Sequence, residues 1–288
     1  MKFIEHLAQK ILDKGVDFEN LTVVLPSIRA KKYLEKELVK RLSKPQFSPE
    51  LITIDRWIID QSQLIIGEPT ELLFELYKVH QELVDADEDD SFDAFVSWGK
   101  ILLSDFDEIE RYLVDPNQLF KNLRDIKEIE HWNIEDEGQM SPAQKKFLAF
   151  WEKLNLYYHR FQLQLAKRSL ATPGMAFRKV ADNVDLVLKG NSNRQFVFAG
   201  FNALSLAEMT IMKKLRENGR AEILQDNDAF YLDAKHHEGG IFQRKLMRFL
   251  EVPRLDRKLN RLTNEPKNLT IIECNQSSAQ VHVASTLL

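Results

Sequence analysis

Five short, nearly unbroken apolar runs constrain this chain more than any other feature of its sequence: residues 21–25, 51–54, 196–199, 221–224 and 269–272, each followed by a helical pattern. Strands that are apolar along their whole length, alternating with helices, predict a parallel sheet covered on both faces. After the first run, residues 28–42 put Leu34, Leu38 and Leu42 on one face and Arg29, Lys32, Lys36 and Lys40 elsewhere. That spacing is an amphipathic cover for the sheet. No such strand-like run occurs in residues 67–190, which read as helix throughout and carry 24 acidic and 15 basic side chains, a net −9 against +5 for the remainder. The expected architecture is therefore α/β, with 1–66 and 191–288 forming one discontinuous domain and 67–190 an all-helical insertion between strands two and three.

Helix starts in the middle segment are marked by a capping oxygen placed before proline: Asp115-Pro116, Ser141-Pro142 and Thr172-Pro173. The first two add Gln at the third helical position, completing a capping box. Helices are predicted over 69–84, 91–113, 116–129, 142–169 and 173–188, with the fourth long enough to act as the bundle's spine. Ser205-Leu206-Ala207-Glu208 is a further capping box behind the third strand. Residues 279–288 read as the opening of another helix with no stop signal, as at an interrupted rather than a natural terminus.

At 44% hydrophobic and 29% charged residues the composition is that of an ordinary globular protein and excludes extensive disorder. No stretch approaches the roughly 18 apolar residues of a membrane helix, and the first residues read as an amphipathic helix rather than a signal peptide. A cytoplasmic location and no membrane partner are expected. The single cysteine, Cys274, cannot form an internal disulfide or by itself build a zinc or iron–sulfur site.

Ligands of open parallel sheets bind at the carboxyl ends of the strands. After the first strand comes Pro26-Ser27-Ile28-Arg29-Ala30-Lys31-Lys32, without glycine and with one N–H lost to proline. A phosphate cradle needs converging N–H groups on a glycine-rich turn, so ATP hydrolysis is not expected here. The third strand ends at Ala199, where a nucleotide hydrolase would place a magnesium carboxylate. Asp226 and Asp228 after the fourth strand read as an Asx-rich turn. The run 85–90 begins like a calcium loop but lacks its glycine and terminal glutamate, and reads as a solvated loop. Glu265-Pro266-Lys267 is the one Glu-x-Lys of the chain, and its proline argues against the central strand a metal-dependent nuclease would need. His236, His237 and the other five histidines lack companions for a triad or metal site. No catalytic residue, metal site or cofactor is expected.

Two basic segments, 29–44 and 244–261, each hold seven basic and two acidic residues. Either can line a nucleic-acid path through phosphate contacts, or be a solvated helix face. Arg56-Trp57 at the second strand's end can hold a phosphate and stack a base, or pack the indole in the core.

The order of Val23-Val24-Leu25-Pro26-Ser27, Leu103-Ser104-Asp105-Phe106-Asp107-Glu108-Ile109, Phe198-Ala199-Gly200-Phe201-Asn202-Ala203-Leu204-Ser205 and Leu269-Thr270-Ile271-Ile272-Glu273-Cys274 resembles the N-terminal region of AddB-type (RexB-like) subunits of bacterial helicase–nucleases. The resemblance implies a P-loop NTPase-like, superfamily 1 helicase-like core with decayed ATPase motifs and an inserted helical subdomain. It implies a nuclease of the PD-(D/E)XK family, with its iron–sulfur cysteines, beyond this chain. Many members keep an Asp where this chain has Ala199, which weakens residual nucleotide binding further. The implied role is to guide DNA and dock an AddA-like helicase–nuclease motor subunit in double-strand break repair by homologous recombination. Arg29, Lys31, Lys32 and Arg56 are the expected phosphate contacts, following the first two strands. The competing expectation is an interaction scaffold without DNA contact, docking through the acidic insertion. A small-molecule enzyme using the same edge is the weakest reading, for want of a glycine-rich turn or a paired acid and base.

Overall fold

The computed structural model describes residues 2–15, 17–42, 47–84, 91–132, 142–252 and 258–287. Four strands, β1 (Leu21–Leu25), β2 (Glu50–Thr53), β3 (Gln195–Ala199) and β4 (Ala221–Leu224), form one parallel sheet in the order β2-β1-β3-β4. Val23 pairs with Leu51 on one side and Val197 on the other, and Val197 pairs in turn with Glu222. β1 and β3 are buried along nearly their whole length, as central strands flanked on both faces must be.

Strand alternation divides the core into two layers. Leu21, Val23, Leu25, Val197 and Ala199 face α1 (Phe3–Asp13) and α2 (Ile28–Arg41), which contribute Leu7, Ile11, Leu34 and Leu38. Val24, Phe196, Phe198 and Ile223 face the opposite layer, where α3 (Ile54–Ser62) supplies Trp57 and Ile58. β2 runs straight into α3, so Ile54, expected as the end of the strand, is instead the helix's first residue.

The insertion contains α4 (Pro69–Leu83), α5 (Phe92–Arg111), α6 (Pro116–Trp132) and α7 (Pro142–Lys167), joined by a core of their own that includes Leu76, Phe95, Phe106, Tyr157 and Phe161. Asp115 caps α6 by accepting from the Asn117 backbone N–H at 2.9 Å. Thr172 caps α8 (Pro173–Asp182) by accepting from Met175 at 3.3 Å. Ser141 and the run 85–90 lie outside the described residues. The bundle leaves and rejoins the sheet at a narrow neck, where Ile66 and Ala171 form a parallel bridge, closed by Ala171 N–H to Ile65 C=O and Gly67 N–H to Ala171 C=O.

Two differences from the sequence reading have physical causes. Helix 173–188, expected within the insertion, divides into α8 and α9 (Val184–Gly190), whose Phe177, Val180, Val184 and Val187 sit in the sheet core beside Trp57, Phe196 and Phe198. Periodicity identifies a helix's apolar face but not the layer it covers. The expected fifth strand, 269–272, is not a strand: it finds no ladder partner, and Leu269 and Ile271 are each 83% exposed. An apolar run without a neighbour cannot pair its backbone groups. Behind β4 the chain forms α10 (Leu206–Glu217) earlier in sequence, then a short parallel pairing of β5 (Asn227–Asp228) with β6 (Lys258–Leu259), and small helices α11 (Ala229–Asp233), α12 (Ile241–Phe249), α13 (Arg261–Asn264) and α14 (Ser277–Leu287).

Candidate nucleic-acid interface

The carboxyl edge of the sheet is built from very short connections. Two residues, Pro26 and Ser27, separate β1 from α2, and Ser27 Oγ already accepts from the Ala30 N–H at 3.2 Å. A loop this short cannot curl around a phosphate, and its cap occupies one of the N–H groups an anion would use. At the end of β3 the left-handed Gly200, φ +77°, turns the chain with its N–H donated to Leu224 C=O at 2.9 Å. A Cβ there would stand 3.1 Å from the Phe3 ring, so both conformation and space select glycine. Ala199, directly before it, is fully buried and offers no oxygen beyond its backbone.

The four basic residues singled out from sequence all reach this edge, but on different faces of the sheet. Arg29, Lys31 and Lys32 lie in the first turns of α2; Arg29 and Lys32 are exposed and Lys31 is half-buried. None of the three has an acidic partner among the described residues. Arg56 lies in the first turn of α3, in the other layer, and is held by Asp60 at 3.0 Å. Arg56 and Asp60 together line an open hollow of about 430 Å³ with Gln63. A phosphate entering it would meet a carboxylate as well as the guanidinium. Trp57 is 2% exposed and packs edge-to-face on Phe196 and Phe198 at 5.4 and 5.7 Å, so its ring face is committed to the core and not available to a base.

Beyond α3 the edge turns acidic and self-compensated. Arg111, at the end of α5, donates to Asp107 at 2.8 Å, approaches Asp55 at 3.6 Å and sits 3.9 Å over the Phe177 ring. Glu208 closes the capping box of α10 on Ser205, and burial pushes its carboxyl above the ordinary range, against the lowering effect of the Ser205 hydrogen bonds and Arg111. Sequence reading missed this clamp, since its members come from α3, α5, α8 and α10. It also missed Gln225, just past β4, whose two side-chain amide atoms are buried without a hydrogen-bond partner among the described residues.

Asp228 spends its carboxylate on the backbone N–H groups of Phe230, Arg261 and Leu262. Although burial opposes it, those donors hold the carboxyl below its ordinary value. In the second basic segment Arg244 is bound to the carbonyls of Tyr231 and His237, while 253–257 lie outside the described residues. His237 accepts from Gly239 N–H in a local turn. Among the described residues no group of three or more His, Cys, Asp and Glu side chains is placed to hold a metal ion. No helix among them is long and apolar enough to cross a membrane.

The chain matches no protein-family model and no curated protein. What the edge offers chemically is therefore read from its geometry: three cations without acidic partners among the described residues, a two-residue β1–α2 link without a glycine-rich turn, and a neighbouring flank whose charges already pair with each other.

Proposed function

We propose that this chain is a catalytically inert, helicase-like α/β unit with a helical insertion, similar to the N-terminal region of AddB-type subunits, and that it guides DNA while a motor subunit docks on it during double-strand break repair in the cytoplasm. On this reading the sheet is a P-loop NTPase core with degenerate motifs, and the full protein holds the nuclease elsewhere. The observation that carries the proposal is the pairing, on one edge, of a two-residue β1–α2 link with the cations Arg29, Lys31 and Lys32, none of which has an acidic partner among the described residues. An edge that has no nucleotide cradle but keeps positive side chains without acidic partners among the described residues suits a sequence-independent phosphate track. The ion pair of Arg56 with Asp60 makes it the weakest of the four contacts.

The test is fluorescence anisotropy with a labelled, single-strand-tailed duplex across a salt series, with and without magnesium-ATP. Binding should fall steeply with salt and ignore ATP. Replacing Arg29, Lys31 and Lys32 with Glu should weaken it about tenfold or more at low salt and flatten the log–log salt slope by about 0.7 to 0.9 per lost phosphate contact. Unchanged affinity and slope in that variant sink the assignment.

The net −9 of residues 67–190 favours a second reading, an interaction scaffold without DNA contact, because such a charge repels a phosphate backbone. Absence of DNA binding at low salt would select it.

A further inference from the structure

The helical insertion carries an elongated apolar cleft of about 540 Å³ between α5 and α6, floored from α7. Its long wall is one face of α5, presenting residues at every third or fourth position from Trp98 to Tyr112. At 1.5 Å per residue that is about 21 Å, the length of a four-turn helix. Phe106 and Ile109 form the buried part of this wall, with Leu119 and Leu123 opposite. Ile101 and Tyr112 stand at the mouth 61% and 45% exposed, an apolar rim beside the buried wall.

The rim supplies a sign. Asp105 and Glu108, adjacent on the α5 surface, line the same cleft, and neither has an ion-pair partner among the described residues. Partial burial against the apolar wall, and then the neighbouring charge of Glu108, raise the Asp105 carboxyl above its ordinary value. Two carboxylates held beside an apolar trough are relieved by a cation that arrives with apolar neighbours. Nucleic acid is the wrong sign for this rim.

We propose that the α5–α6 cleft is a docking groove for an amphipathic, basic helix of a protein partner, whose apolar side chains at i, i+4 and i+7 fill the trough and whose Lys or Arg side chains meet Asp105 and Glu108. Helix-in-groove recognition uses this anchor spacing, and the charges fix the register. This deepens the partner-docking half of the function proposed above and rests on that half alone. It is independent of the DNA contact at the sheet edge.

The test is selection of a displayed library of randomised helical peptides against the full chain, followed by titration of the recovered peptides by fluorescence anisotropy. The expected peptides carry large apolar residues at i, i+4 and i+7 flanked by Lys or Arg. Their affinity should fall at least tenfold in Asp105→Lys/Glu108→Lys and in Ile101→Glu. It should be unchanged in Glu82→Lys, an exposed acid on α4 outside the cleft, and should not respond to added tailed duplex. All three cleft positions are solvent-exposed, so the variants keep the fold, which circular dichroism checks. Recovery of no peptide, of acidic or non-helical peptides, or of peptides insensitive to the cleft substitutions overturns the proposal. None of these outcomes is decided by whether the chain binds DNA, so the two halves of the function fail separately.

Discussion

Arg178 joins parts of the protein that its neighbours in sequence do not announce. From α8 it pairs with the buried Glu110 of α5 and donates to the carbonyls of Ile109 at 2.9 Å and Val114 at 2.8 Å, satisfying the end of that helix. Glu110 also accepts from the Tyr158 hydroxyl and from Gln162, so three elements share one carboxylate. Burial, and then the hydrogen bond and charge of Glu110, push the Tyr158 hydroxyl well above its ordinary value. A phenol whose folded pKa is raised contributes stability that is complete below the unfolded value of about 10 and is lost as pH rises beyond it. Tyr158→Phe should therefore be less stable than the natural protein at pH 7, by about 1.5 to 3 kcal/mol for a hydrogen bond to a charged group. That gap should be the same in urea midpoints at pH 7 and 9 and narrow at pH 11, and a gap unchanged at pH 11 would show that the hydroxyl proton is not held in this way. At this scale the sequence was readable where a residue's role is local, as for the caps Asp115, Thr172 and Ser205. It was not readable for Glu110, whose partners lie 48 and 68 residues away.

Among the elements, α8 decides where the insertion ends. Its Phe177 and Val180 complete the layer over Phe196 and Phe198, whereas Met175 and Arg178 reach the bundle. Because Ile66 and Ala171 are bridge partners, the bundle can be excised between them and the gap closed by a short glycine–serine turn. Removing residues 67–170 in this way should leave a folded α/β unit, with Trp57 still buried and its fluorescence blue-shifted. Removing 67–190 should not, since it strips Phe177, Val180, Val184 and Val187 from the sheet core, where each large apolar side chain is worth about 1.5 to 3 kcal/mol. Equal folding of the two deletions by circular dichroism and fluorescence would refute this boundary. Helix positions followed from the sequence because proline and capping residues mark them chemically, and the central strands β1 and β3 because burial on both faces demands nearly unbroken apolar runs. The same apolarity misled at 269–272, where β-forming residues have no neighbouring edge to pair with.

Over the whole molecule, one chain carries two apolar cores of different kind, a sheet with two helical layers and a bundle, touching through α8, the Arg178–Glu110 pair and the contacts of Arg111 with Asp55 and Phe177. Their charges differ as well, net −9 over residues 67–190 against +5 for the remainder. Whether such a molecule unfolds as one unit depends on how strongly the joint couples the cores. Removing one partner of a buried ion pair typically costs about 3 to 5 kcal/mol, because the other charge is left uncompensated. Here that cost falls on the bundle's side of the joint, where Glu110 stays buried. Trp57 reports on the sheet layer and Trp98 on the bundle, where it packs against Phe95 at 4.7 Å. In the natural protein, urea transitions followed through variants retaining one tryptophan in each core should coincide. In Arg178→Met they should separate, with the bundle melting at lower urea, because Glu110 is then buried beside Tyr158 and Gln162 with no cation while the sheet core keeps every apolar contact of Phe177 and Val180. Coincident transitions in that variant would place the coupling in the α5–α8 packing itself and reduce the ion pair to a local contact.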